Sequence, residues 1–367
     1  MNKKICFFCV GTGGHVLPVK NLVQGLINKG ISKEKIIVIT DKRGSVYLKD
    51  LSVEVKVFEF YASKNGILGY LLNLRRIFVS VLQIYSYLKN KKISIYFSTG
   101  SYISPVAGVV SKLNKCKFFI QEQNVYAGLG NKLASIFAFK IFTSFELTLN
   151  INDKKCFYSG PIINTKLIPR KIEDLEHNSI GFYGGSQGSE QINNFVEKFL
   201  QDDMSLNHKI IHITGEKHFK NIETNRNYKN YGFLVDIDKF YKEVSIIVGR
   251  AGGGSLEPAF LGIPQILIPY KFGTTSSHQS LNADFIEKNG FGYIVNTYEE
   301  LIDTIKLITL NLKNKKELPA LNSGNNLIIE ELFNELYWSI SKSFHPRTRR
   351  FWYEFNCKVF KSKGTWS

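Results

Sequence analysis

At 367 residues the chain exceeds what one hydrophobic core ordinarily serves, and a 44% apolar, 13% aromatic composition excludes a disordered protein. Its 48 Lys and Arg against 31 Asp and Glu give a formal charge of +17, which favours anionic partners: phosphate-bearing substrates, nucleic acid or an anionic membrane surface. Five scattered cysteines form no disulfide framework, and no apolar span reaches the ~20 residues of a transmembrane helix or makes a signal peptide, so a reducing cytoplasm is expected.

In chain order, residues 4–10 are an apolar run ending in glycines. Val19, Leu22, Val23, Leu26 and Ile27 then recur at helical spacing, with Pro18 placed for the first turn and Gly30 for the end. Cys6 and Cys9 form a C-x-x-C inside this buried strand, with no second Cys or His pair to make a metal site. Further strands are read at 35–41 (KIIVITD), 53–60, 93–98, 117–121 and 140–144. The rhythm restarts near residue 178 and continues through KIIHITG (209–215), VSIIVG (244–249) and PQILIPY (264–270). Alternating strands and helices predict parallel sheets covered on both faces, hence an α/β protein of two doubly wound domains joined near 158–163. Expected boundaries are 1–160, 161–330 and 331–367, the last a C-terminal helix and a basic aromatic tail that return to the first domain.

Three glycine loops, GTGGH (11–15), GGSQGS (184–189) and GRAGGGS (249–255), each follow a strand. In such sheets ligands bind beyond the carboxyl ends of strands, where glycine admits a close backbone and a helix N-terminus favours anions. Loops of this kind in both halves point to a phosphate-bearing ligand in the cleft between them.

GTGGHVLP (11–18), STGSYISPVAG (98–108), QEQNVYAGLGNKLAS (121–135), GGSQGSEQIN (184–193) and RAGGGSLEPAFLGIPQILIPY (250–270) followed by HQSLNA (278–283) occur in the order and approximate spacing of the MurG family. The chain resembles that family from about residue 5 to about 295. The resemblance implies a GT-B type fold of two Rossmann-like domains with an interdomain cleft. It also implies an inverting, metal-independent transfer of GlcNAc from UDP-GlcNAc to a polyprenyl-linked muramyl-peptide acceptor in peptidoglycan synthesis. The enzyme would lie on the cytoplasmic face of the cell membrane as a peripheral protein, with no cofactor and no nucleic acid partner.

Carried over position by position, Ser186 and Gln187 fall in the donor and phosphate loop, and Gly254 and Ser255 fall where a helix N-terminus meets the pyrophosphate. Glu257 matches the acid that binds the ribose hydroxyls, a role suited to a carboxylate because it accepts two hydrogen bonds from a cis-diol. Gln279 and Asn282 match positions contacting the sugar, and Arg250, Thr12, Gly13, Gly14 and Asn124 join the donor set. His15, Tyr102, Glu122, Asn124 and Asn131 match acceptor-side motifs, with His15 the expected base and Glu122 behind it. Three departures stand out: Gln121 replaces the family's usual His, Asn164 lacks its Arg, and the stretch from Arg250 to Glu257 is one residue shorter.

The residues alone leave alternatives open. His15 could cap or pack, Glu257 could complement a helix dipole, Arg250 could pair with a structural carboxylate, and Gln279 with Asn282 could be a polar helix entry. His177, His208, His212 and His218 show no metal-ligand spacing. The apolar stretch Ile67–Leu82, with Arg75, Arg76 and Lys89–Lys92, suits either an anionic bilayer surface or a packed helix pair. Transfer to another polyprenyl-linked sugar, a UDP-GlcNAc epimerase and a non-catalytic nucleotide-sugar-binding partner remain as other functions.

Overall fold

The computed structural model describes residues 3–59, 66–175, 178–185, 188–219, 227–234, 236–270, 276–316 and 319–338, with 66–76, 276–278 and 338 described as backbone only. The first domain carries β1 (Lys4–Phe8), α1 (Gly13–Asn28), β2 (Ile36–Thr40), α2 (Lys42–Ser45), β3 (Glu54–Val57), α3 (Gly66–Leu88), β4 (Ile93–Ser98), α4 (Ile103–Leu113), β5 (Lys117–Glu122), α5 (Leu129–Ala134), β6 (Lys140–Thr143) and β7 (Cys156–Tyr158). The second carries β8 (Ser179–Tyr183), α6 (Glu190–Leu200), β9 (Lys209–Ile213), β10 (Tyr228–Tyr231), α7 (Ile237–Glu243), β11 (Ile246–Gly249), α8 (Leu256–Leu261), β12 (Gln265–Leu267), α9 (Ser276–Lys288), β13 (Tyr293–Ile294) and α10 (Tyr298–Lys313). A last helix, α11 (Asn325–Trp338), follows.

Among the described residues the strands form two parallel sheets, ordered β3-β2-β1-β4-β5-β6-β7 and β10-β9-β8-β11-β12-β13. Both sheets reverse direction beside their first strand, so switch points fall between β1 and β4 and between β8 and β11. Loops at these points are where a doubly wound fold holds its ligand. The central strands are apolar on both faces because helices cover both. In β1 and the residue pair beyond it, Ile5, Phe7 and Cys9 enter one core while Cys6, Phe8 and Val10 enter the other. The C-x-x-C thiols therefore point to opposite sides of the sheet, and burial raises both above the usual thiol range.

Pro18 departs from expectation. α1 begins at Gly13, five residues ahead of the proline, which sits in the second turn with Val16, Val19, Leu22, Val23 and Leu26 buried around it. Proline has no N–H for the carbonyl four residues back, so Gly14 loses its helical partner. The side-chain amide of Gln123 replaces it, donating to the Gly14 carbonyl at 2.9 Å.

The chain crosses between domains twice, on adjacent strands of backbone. Gly324 N–H donates to the Pro161 carbonyl at 2.8 Å, and the Asn325 amide brackets Ile163, accepting from its N–H and donating to its carbonyl. The return to the first domain begins at Asn325, ahead of the expected 331. Ile328, Ile329, Leu332 and Leu336 of α11 then pack into the core beneath α1, and Glu335 and Glu331 meet Lys117 and Lys140 at 2.5 Å. Exposed ion pairs of this kind stabilise weakly, so the apolar face of α11 fixes its seat.

Candidate active site

At the first switch point the loops after β1, β2 and β4 are tied together by one buried carboxylate. Asp41 accepts from the N–H of Gly11 at 3.0 Å and of Gly44 at 2.8 Å, from the Tyr102 hydroxyl at 2.9 Å and from Arg43 at 3.3 Å. Burial works against its charge, but these donors outweigh it and hold the carboxyl below the usual range. Tyr102, expected on the acceptor side, is thus aimed by Asp41, a residue the motif reading passed over although it ends a strand on the ligand edge.

His15 is the third residue of α1, within its first turn. Its Nδ1 is 3.0 Å from the Thr99 carbonyl, and the Thr99 hydroxyl returns a bond to the His15 carbonyl. A carbonyl only accepts, so Nδ1 carries the proton and Nε2 of the neutral ring keeps a free lone pair. Gly100 makes this possible: its φ is +107°, and a Cβ there would stand 3.2 Å from the imidazole. Thr12 caps α1 without a side-chain bond, which leaves the first N–H groups, including those of Gly13 and Gly14, pointing out of the helix end.

Glu122 and Asn131 are placed differently from what their motif suggests. The Glu122 carboxylate accepts from the backbone and side chain of Asn124, both at 3.0 Å, from Gly128 N–H at 3.2 Å and from Asn131 Nδ2 at 2.8 Å. A carboxylate has about four acceptor positions, and four donors occupy them in this structure. Asn131 is 2% exposed, donating also to the Gln121 carbonyl and accepting from Ser104. It holds the loop from inside and presents no group to an acceptor. Gln121 is buried too, donating to Ser144 while its Oε1 lacks a partner.

The two domains meet along this loop. Asn282 Oδ1 accepts from Val125 N–H at 2.9 Å, and its Nδ2 donates to Asn124 Oδ1 and the Ala251 carbonyl, each at 3.1 Å. With both amide hydrogens bonded and the side chain 2% exposed, Asn282 clamps the two domains together. Phe145 against Phe285, with centroids 4.6 Å apart, and Tyr47 against Phe233 at 6.5 Å extend the junction.

In the second domain Gly253–Ser255 form a 3₁₀ turn leading into α8. Ser255 closes it, with both its N–H and its hydroxyl bonded to the Gly252 carbonyl, at 3.0 and 2.6 Å. Its hydroxyl is therefore turned inward, and the backbone of Gly252–Gly254 is partly exposed beside it. Glu257 accepts from the Tyr241 hydroxyl at 2.8 Å and from Asn164 N–H, and burial lifts its carboxyl above the usual range against both. Asn164 thus contributes its backbone here. Gln279 Oε1 accepts from Arg250 Nε at 3.3 Å and Tyr270 N–H at 3.1 Å, leaving its amide NH₂ for a ligand. The Arg250 guanidinium lies over the Tyr270 ring, 4.8 Å from its centroid. Ser186, Gln187 and His177 lie outside the described residues, as does the 345–367 tail.

Behind the β8–α6 loop, His212 bridges the Tyr228 hydroxyl at 3.0 Å and Asn193 Oδ1 at 2.9 Å. The amide oxygen requires an N–H, so Nε2 is protonated and Nδ1 accepts from tyrosine. Burial pushes this imidazole down to about 4. An unfolded histidine titrates near ~6.5, so between that pH and about 4 the unfolded chain takes up a proton that the folded one refuses. Stability therefore falls as pH drops through this window, by about 3 kcal/mol when it is crossed. His212→Gln should flatten the decline of melting temperature between pH 6.5 and 4; parallel declines in both proteins would refute the assignment.

Two doubly wound domains with glycine loops facing across a cleft define the GT-B fold class. Residues 5–143 match the glycosyltransferase family 28 N-terminal domain, and residues 179–332 match its C-terminal domain. A relative from Thermosipho africanus, named UDP-N-acetylglucosamine–N-acetylmuramyl-(pentapeptide) pyrophosphoryl-undecaprenol N-acetylglucosamine transferase, is 32% identical over 334 residues, covering 89% of this chain and 96% of its own. One of the same name from Pseudothermotoga lettingae is 30% identical over 349 residues, covering 88% and 97%. Among solved structures, Acinetobacter baumannii MurG superposes with a TM-score of 0.66 at 21% identity, covering 90% of this chain and 98% of that one. A UDP-N-acetylglucosamine 2-epimerase from Listeria monocytogenes reaches 0.65 at 12% identity, covering 91% and 97%, a likeness of fold alone. The chain belongs to the MurG family of glycosyltransferases.

Proposed function

We propose that this protein transfers GlcNAc from UDP-GlcNAc to a polyprenyl-pyrophosphoryl muramyl peptide, with inversion at the anomeric carbon. The observation that carries the reading is the His15 tautomer: a proton fixed on Nδ1 by Thr99 leaves Nε2 as a base at the switch point opposite the second domain's glycine turn. An acceptor hydroxyl attacks C1 of GlcNAc and its proton passes to Nε2. The C1–O bond to the β-phosphate breaks, and the electron pair stays with UDP. Backbone N–H groups at Gly252–Gly254 and at the start of α1 suit the charge that develops there. Glu257, steadied by Tyr241, would take the ribose hydroxyls, and the free NH₂ of Gln279 would take the sugar. Glu122 acts as a positioning residue for the loop that lines the acceptor side.

The same reading puts the enzyme at a membrane surface, where a polyprenyl acceptor resides. Ile77, Phe78, Val79 and Leu82 of α3 are exposed, Phe78 to 62%, and Leu129, Leu133 and Ile136 form a second exposed apolar row. Ser80 and Val81 of the same stretch are buried, Val81 in the first domain's core, and residues 67–76, with Arg75 and Arg76, lie outside the described side chains. Among the described residues no helix is long and apolar enough to cross a membrane, so these surfaces would rest in the interface.

Calorimetry separates the parts of the donor. Glu257→Ala should weaken UDP and UDP-GlcNAc alike, by about 10- to 100-fold, because both carry the ribose. Gln279→Ala should weaken only the sugar nucleotide, by about 2- to 10-fold. Equal loss of UDP in both variants would refute the division, and failure of the parent protein to bind UDP-GlcNAc would overturn the reading.

A further inference from the structure

Gln123 stands where the two domains' glycine turns approach each other. Its Nε2 donates to the Gly14 carbonyl, the acceptor that Pro18 leaves empty. The amide's other end faces the second domain: a Cβ built on Gly253 would lie 2.9 Å from Gln123 Oε1. The orientation is fixed chemically, since only the NH₂ end can face a carbonyl. Its neighbours share the task, with Glu122 holding the loop and Asn124 and Val125 bonded to Asn282.

We infer that Gln123 is a positioning residue, a clasp that sets the start of α1, and hence His15 one residue after Gly14, against the Gly252–Gly254 turn. A methyl group on Gly253 would press on the Gln123 amide and require it to shift. Displacement breaks the bond to Gly14 and lets the base drift from the anomeric carbon, where misplacement by about 1 Å costs on the order of 100-fold in rate. The inference rests on the transferase reading.

Its test uses the full-length Gln123→Met, Gly253→Ala and double variants, with transfer rates, UDP affinity and melting temperature measured for each. Methionine keeps the length and removes the bond. The clasp predicts that Gln123→Met lowers kcat by about 10- to 100-fold while UDP affinity stays near the parent's and melting temperature falls by only about 2–4 °C, the loss of one hydrogen bond. Gly253→Ala should lower kcat comparably, and the double variant should be no slower than the slower single, because both changes undo one contact. A parental kcat in Gln123→Met, or effects that multiply in the double variant, would overturn it. If the parent protein binds UDP-GlcNAc but transfers nothing, the transferase reading fails instead. The same pair is then judged by melting temperature: shifts that do not add support the contact, and additive shifts refute it.

Discussion

His15→Ala lowers kcat by about 100- to 10,000-fold at saturating acceptor, while the affinity for UDP, measured separately, stays close to the parent's. The expectation follows from three local facts. Thr99 fixes the tautomer, Gly100 makes room for the ring, and the ribose and sugar contacts proposed for Glu257 and Gln279 lie in the second domain. A histidine that only packed would behave otherwise: its loss would lower the melting temperature and weaken donor and acceptor steps together. Retention of more than about a tenth of the parental kcat would remove His15 from the role of base.

Glu122→Ala has the second large effect, and of a different kind. Removing the carboxylate strands the donors of Asn124, Gly128 and Asn131 in a loop whose Glu122 side is 3% exposed. Unsatisfied buried donors cost about 1–3 kcal/mol each, and with some recovered by water the total is on the order of 3–5 kcal/mol. That corresponds to a fall in melting temperature on the order of 10 °C. Glu122→Gln, which keeps one accepting oxygen, should lose roughly half as much. Donor affinity should suffer with stability, because Asn124 carries the loop's bond to Asn282. An unchanged melting temperature with only kcat reduced would instead make Glu122 the proton acceptor.

The sheets were legible because their central strands are buried on both faces and read as unbroken apolar runs, as in KICFF, IIVIT and ISIYFS. The strands missed, β7, β10 and β13, all lie at sheet edges. An edge strand is half solvated, so Tyr228–Tyr231 carries no such run, and β7 and β13 are only three and two residues long. The glycine turns were legible because a tight strand-to-helix connection leaves a mark in composition, as at Gly11 and Gly185 with positive φ. Hydrogen-bond partners leave none. That Asn282 spends its amide on the opposite domain, that Ser255 turns its hydroxyl to Gly252, and that Gln123 compensates for Pro18 depend on which loops the fold brings together. Motif position assigned Asn131 and Asn282 to ligands, and it could not show that both are buried and bonded to Glu122 and Ala251 within the protein.

The central claim is transfer, and one measurement addresses it: purified protein is incubated with labelled UDP-GlcNAc, with and without a polyprenyl-pyrophosphoryl muramyl peptide, and the lipid phase is counted. The account predicts label in the lipid only when the acceptor is present, released as a β-linked disaccharide, with one UDP formed for each GlcNAc transferred. Consumption of UDP-GlcNAc at the same rate without acceptor, or binding of the nucleotide with no labelled lipid, would contradict it.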